Sequence, residues 1–235
     1  CMKEEQRDRR PVFTGCQLEV EGREITLAAT NVHRLAVKSE HIESDAGQIR
    51  VVIPAKFLEE VTRTITSEVP TDIEIVCSYN QISMSAEGIY MTSRLIEGSF
   101  PDYHRVIPRD ENIRTKVTMN AADFAAAVER ASLISRTDQY NIVKLEFEDN
   151  LLHITSNSPD VGRAEETIEA EVEGDPAVIA FNASYLMDAV KSLDSDTCIL
   201  SLQGSNAQGM NLSPITICED VDPNYIYVVT PVRTH

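Results

Sequence analysis

Very little in this 235-residue sequence speaks for catalysis, for a membrane or for an oxidising compartment. It has no Gly-rich phosphate loop, no nucleophile elbow and no HExxH pair, so the common frames for phosphoryl transfer, acyl transfer and metal-assisted hydrolysis are missing. No apolar run approaches the ~18 residues that span a bilayer, and no secretory leader pattern is visible. Cysteines at positions 1, 16, 77, 198 and 218 are odd in number and lack CxxC spacing. That argues against both a disulfide framework and a zinc site, and makes a reducing cytoplasm the natural setting. Positive charge is scarce as well: 21 Lys and Arg face 38 Asp and Glu, leaving a formal charge of −17. Such a surface favours solubility and, taken as an average, argues against a nucleic-acid partner.

What the sequence does have is itself, nearly twice. Leu18-Glu19-Val20-Glu21-Gly22-Arg23-Glu24-Ile25-Thr26-Leu27 lines up with Leu145-Glu146-Phe147-Glu148-Asp149-Asn150-Leu151-Leu152-His153-Ile154. Pro54 to Val61 lines up with Asn182 to Ala189, so one register of about 127 residues covers most of the chain. This period is too long for the ~20 to 50 residues of a solenoid, and each copy should be a unit with its own core. The helix-like stretch Asp123 to Ala131 has no counterpart ahead of Cys1. The expectation is a first copy without its opening strand and helix, in a chain that is part of a longer polypeptide, and the charged stretch Lys3 to Arg10 is read as belonging to that interrupted start.

Within a copy, the polarity pattern predicts strands at Cys16 to Val20 and Glu24 to Thr30, joined in a hairpin at Glu21-Gly22, then at His33 to Val37 and Ile49 to Ile53. Pro54 suits a first helical turn, and Phe57, Leu58, Val61 and Ile65 form an apolar stripe for one amphipathic helix. Strands follow at Ile73 to Cys77, Gln81 to Ser85 and Ile89 to Leu95. The second copy repeats this at Val143 to Phe147, Leu151 to Thr155, Ala164 to Val172 and Ala177 to Phe181, with a helix over Ala183 to Leu193. Strands at Cys198 to Leu202, Met210 to Ile217 and Tyr225 to Val229 complete it. The fold class is α+β, with antiparallel sheets packed on two helices in a complete copy. Gly98 to Asp110, with two prolines, carries the chain between copies, giving domains over 1–110 and 111–235.

His33 is the best candidate for chemistry, with Asp102 as a conceivable partner, but a histidine hydrogen-bonded at a strand edge is the commoner role. Glu165-Glu166 and Glu219-Asp220 lack the alternating ligand spacing of a calcium loop and read as solvated acidic faces. The basic residues say more. Lys56 and Arg63 stand two turns apart on one helix face, and Lys191 is the repeat equivalent of Arg63. Arg130 and Arg136 lie at the end of the second copy's opening helix. Spacing alone is consistent with exposed charges paired to Glu59, Glu60 or Glu129. The alternative is a cationic helix lining that meets a phosphate backbone without reading bases.

Four stretches resemble one family in the right order: Thr30-Asn31-Val32-His33-Arg34-Leu35-Ala36-Val37, Arg94 to Tyr103, Arg105-Val106-Ile107-Pro108 and Tyr227 to Arg233. Together they resemble the bacterial DNA polymerase III beta subunit, the sliding clamp. The resemblance implies the second and third domains of a three-domain protomer and no enzymatic activity or cofactor. Such clamps are head-to-tail homodimer rings around duplex DNA, with helices lining the hole. An acidic exterior with cations confined to the lining then holds DNA by topology, and the DNA-facing candidates are Arg10, Lys56, Arg63, Arg130, Arg136 and Lys191. A protomer short of one domain is expected to be a monomer in dilute solution.

The family also has a groove between its second and third domains that captures linear motifs of the polymerase catalytic subunit, the clamp loader and repair factors. By resemblance its first-copy residues are Phe13, Thr30, His33, Arg34, Leu35 and Pro101. Arg105, Val106, Asn182 and Tyr185 follow, and the tail adds Val228, Val229, Pro231, Val232 and Arg233. Leu35, Val106 and Val232 would bury partner side chains, framed by Arg34 and Arg105. Without the resemblance, Leu35 and Val229 read equally as core. Two departures bear on affinity. Asn31-Val32 replaces the usual Asp-Gly, where a β-branched residue resists the positive φ that Gly permits. Thr230 stands where the family commonly has Met, removing a flexible apolar contact, and the chain runs on to Thr234-His235. Peptide binding is expected to persist with altered affinity. The alternatives are a peptide-binding adaptor without DNA encirclement and, less favoured, a hydrolase using His33.

Overall fold

In the computed structural model the described residues are 1–2, 10–66, 69, 71–136, 141–204 and 211–233. The stretch 3–9, Met210 and Thr234-His235 lie outside them. The chain divides into two compact units, Cys1–Asp102 and Tyr103–His235.

The first unit contains β1 (Gly15–Glu21), β2 (Glu24–Thr30), β3 (Arg34–His41), β4 (Gln48–Pro54), α1 (Ala55–Thr64), β5 (Glu74–Cys77), β6 (Gln81–Ala86) and β7 (Ile89–Arg94). Its sheets run β3-β2-β1-β4 and β5-β6-β7, and neighbouring strands in both are antiparallel. The hairpin of β1 and β2 closes at Glu21↔Glu24, where Gly22 holds φ +61°, a value glycine adopts without steric cost. Alternate residues point inward as the pattern requires, so Leu18, Val20, Ile53, Val61, Ile82 and Met84 form the core. Gly15 is needed for space: a Cβ there would stand 2.5 Å from the Ile53 carbonyl oxygen.

The second unit contains β8 (Ile113–Asn120), α2 (Ala121–Ser132), β9 (Ile142–Glu148), β10 (Leu151–Ser158), β11 (Gly162–Glu169), β12 (Glu171–Gly174), β13 (Ala177–Asn182), α3 (Ala183–Val190), β14 (Thr197–Gln203), β15 (Ile215–Cys218) and β16 (Tyr225–Val229). One sheet runs β11-β10-β9-β13, matching β3-β2-β1-β4 strand for strand, and β12-β8-β14-β15-β16 stand side by side in the other. Helix α2 starts where Asn120 Oδ1 accepts the Asp123 N–H at 3.0 Å, an N-cap that satisfies one orphan donor. Its buried residues Phe124, Ala127, Val128 and Ala131 follow the i, i+3, i+4, i+7 stripe. It packs on α3 and on β8 to β11.

Three details differ from what the sequence pattern predicts. Ala164 to Val172, read as one strand, is β11 and β12, and they serve different sheets. Asn150 makes the corner: its backbone oxygen accepts the Ala170 N–H at 3.0 Å and its side chain accepts the Val172 N–H at 3.1 Å. The units part after Asp102, whereas composition put the boundary after residue 110. Tyr103 is buried and its carbonyl accepts the Val106 N–H at 3.1 Å, so the short turn Tyr103–Arg105 already belongs with the second unit. The strand expected over Met210 to Ile217 begins, within the described residues, at Ile215.

Candidate functional site

In the first unit the residues of interest gather at the β2–β3 turn. Thr30 and Asn31 build it. Thr30 Oγ1 donates to the Arg34 carbonyl at 2.8 Å and accepts the Val32 N–H at 3.2 Å. Asn31 Oδ1 accepts both the His33 and the Arg34 N–H at 3.2 Å. This cage holds Val32 at φ +79°. The turn that glycine would make is therefore made with a β-branched residue, at a cost on the order of 1–2 kcal/mol. Val32 and His33 stand exposed at the tip, Arg34 is half-buried, and Leu35 behind them is packed away. Asn31 was read as a departure, yet it organises the turn, and the signal was available because Asn hydrogen-bonds its own following backbone in Asx turns. Phe13 is buried with its ring edge-on to Phe100 at 6.3 Å, with the Arg10 guanidinium 5.6 Å from its centroid. Pro101 is exposed.

In the second unit the tail returns to the β13–α3 junction. The Val232 N–H donates to the Ala180 carbonyl of β13 at 2.8 Å, which brings the tail back to the strand that ends at Asn182. Asn182 caps α3 by accepting the Ser184 N–H at 2.9 Å, and Tyr185 lies half-buried in that first turn. Val228 and Val229 are core residues of β16. Thr230, Pro231 and Val232 are half-buried, while Arg105, Val106 and Arg233 are exposed.

The six candidate cations are all exposed, on or beside helices except for Arg10. Lys56 opens α1, and Arg63 in its last turn pairs with Glu60 at 2.9 Å, as ordinary helix spacing anticipates. Arg130 does something spacing could not show. It grips Glu166 of β11 through Nε at 3.1 Å and Nη2 at 2.7 Å, a bidentate pair spanning 36 residues of sequence. Arg130 thereby holds the Glu166 carboxyl below its ordinary pKa, and the same bond raises the guanidinium's. Arg136 follows α2 and Lys191 is the C-cap of α3.

The acidic pairs do not behave alike. Glu165 is solvated beside Arg163, and Asp220 is exposed with the Ser195 hydroxyl donating to it at 2.5 Å, which lowers its pKa. Glu219, read as solvated, is buried, and its Oε2 accepts the Asp194 and Ser195 N–H groups at 2.6 and 2.9 Å. It is a structural acceptor that closes the α3–β14 turn. Among the described residues no group of three or more His, Cys, Asp or Glu side chains is placed to hold a metal ion, and no helix is long and apolar enough to cross a membrane.

Two units with one sheet order in common, whose helices bear exposed cations, define a tandem-repeat protein. The DNA polymerase III beta subunit central-domain model matches residues 2–102 and the C-terminal-domain model residues 104–233, so the chain belongs to the bacterial sliding-clamp family. It is 34% identical to the beta sliding clamp of Staphylococcus epidermidis over 227 residues, covering 96% of this chain and 58% of the relative. The Streptococcus pneumoniae DNA polymerase III beta chain superposes with a TM-score of 0.88 at 34% identity, over 97% of this chain and 59% of that one. A Pseudomonas aeruginosa sliding clamp bound to griselimycin gives 0.89 at 28% identity, over 100% of this chain and 60% of that one. The chain thus spans a little under 60% of these relatives.

Proposed function

We propose that this chain is the central and C-terminal part of a DNA sliding clamp, a non-enzymatic processivity factor. In the whole protein a homodimer ring encircles duplex DNA without reading sequence and tethers the replicative polymerase, the clamp loader and repair factors by their linear motifs. The observation that carries this reading is the ordered match to both family domains across nearly the entire chain. Exposed Lys56, Arg136 and Lys191 supply cations for a phosphate backbone despite the acidic average, and a ring needs only weak attraction because topology does the retaining. Two sets of residues are offered to a partner peptide. The first unit supplies the His33 and Arg34 turn, and the second supplies Val106, Tyr185, Pro231 and Val232, with Leu35, Val228 and Val229 as the packed support beneath.

Binding of a fluorescent clamp-binding peptide from a bacterial polymerase, read by anisotropy, tests this. Saturable binding to the intact chain, lost when Val232 to His235 are removed, is expected. No binding to the intact chain overturns the peptide assignment. A second reading, an adaptor without DNA encirclement, is favoured by the internal pairing of Arg63 and Arg130, which withdraws two of the six candidate cations. Peptide binding by the full-length protein, with no retention on circular duplex DNA, would select the adaptor.

A further inference from the structure

We propose that Cys1 and Cys16 form a reversible disulfide, fastening the segment that precedes β1 to β1 itself. The two sulfurs are 3.6 Å apart, and Cys1 Sγ also donates to the Gly15 carbonyl at 3.3 Å. The Met2 N–H donates to the Phe13 carbonyl at 2.6 Å, so the backbone beside Cys1 is already tied to the run leading into β1. Closing the bond requires the sulfurs to approach from 3.6 Å to about 2.05 Å.

The internal repeat supports this placement independently. Gly15 and Ile142 are equivalent, each opening its strand opposite Pro54 or Asn182 respectively. In the second unit Ser135 Oγ donates to the Ile142 carbonyl at 3.5 Å, as Cys1 Sγ does to Gly15. Cys1 and Ser135 thus each reach the first residue of the equivalent strand in their own copy. The residue equivalent to Cys16 is Val143, so the first copy alone carries a thiol pair there.

Accessibility orders the chemistry. Cys1 is exposed and Cys16 is half-buried, with its thiol pKa raised by burial. The Cys1 thiol loses its proton to solvent, and its thiolate attacks one sulfur of a small disulfide such as oxidised glutathione. That S–S bond breaks and one glutathione thiolate leaves. Cys16, deprotonated in turn, attacks the Cys1 sulfur of the mixed disulfide and expels the second glutathione thiolate. Two protein thiols are oxidised and one small disulfide is reduced. Cys198 is a poor competitor, because burial pushes its thiol up to about 12.

The test is to equilibrate the 235-residue chain with reduced and oxidised glutathione, block remaining thiols with iodoacetamide and map the tryptic fragments by mass spectrometry. The fragment carrying Cys1 should be linked to the fragment carrying Cys16, at a yield roughly tenfold higher in the folded chain than in urea, since folding raises their effective concentration. In the Cys1→Ser variant Cys16 should remain alkylatable. Equal yields with and without urea, arrest of Cys1 at the glutathione mixed disulfide, or oxidation of Cys16 in the Cys1→Ser variant would each overturn the proposal.

Discussion

The two units share one strand order and differ in how deeply their helices are buried. In the first, one of the ten residues of α1, Val61, is buried, while Phe57 and Leu58 stay half-exposed. In the second, four of the eight residues of α3 and six of the twelve of α2 are buried, because the two helices pack on each other as well as on the sheets. The apolar stripe is present on both mid-unit helices. A stripe states what a helix can bury; the neighbour decides what it does bury. The largest fully buried aromatic side chains follow the same division, with Phe124, Phe147 and Phe181 all in the second unit.

Truncating one helix aromatic in each unit would break this comparison most directly. Phe124→Ala should destabilise the second unit by about 3–5 kcal/mol, whereas Phe57→Ala should cost the first roughly 1–2 kcal/mol, both read from urea unfolding. Equal losses would mean that α1 is as well packed as α2. A step below in size, Glu219→Ala should cost about 2–3 kcal/mol by removing a buried acceptor that holds two part-buried N–H groups. A shift confined to the unfolding of the second unit is the outcome that fits, and an unchanged midpoint would return Glu219 to the solvated face. In the first unit, Val32→Gly should raise stability by about 0.5–1 kcal/mol, since relief of the left-handed conformation outweighs the added freedom of the unfolded chain. A loss of stability on that change would show that the turn is not strained.

The smallest effect is one of pH. The Glu166 pKa is depressed by Arg130, so the pair's contribution is present above the ordinary carboxylate value of 4.5 and is lost as pH falls through the lower folded value. Stability of the wild type should therefore decline more steeply than that of Glu166→Gln in acid below about pH 4.5. Parallel curves would mean that the exposed pair contributes nothing, as many surface pairs do.

Most strands were legible because period-2 alternation survives on half-buried sheets, as in Leu18 and Val20 of β1 or Leu145 and Phe147 of β9. The β11–β12 break was not, since alternation continues through it and the corner is made by Asn150, some twenty residues away, rather than by a local Gly or Pro. Arg130's partner was illegible for the same reason: helix spacing points to Glu129 or to residues one turn away, and the partner sits on another element. Glu219 misled because an acidic pair reads as solvent-facing until a turn's orphaned N–H groups are placed beside it. The two sets proposed for peptide contact come from resemblance, and only folded geometry separates their exposed members from the packed ones.

The tail at Val232 is located by a main-chain bond to Ala180, which draws on the amide hydrogen rather than on the side chain. Position and chemistry are therefore uncoupled at this point. Any residue with an amide hydrogen can make that bond, so what the tail would offer to the proposed peptide can drift in size or polarity while the address stays fixed. Proline alone would erase the address, having no hydrogen to give.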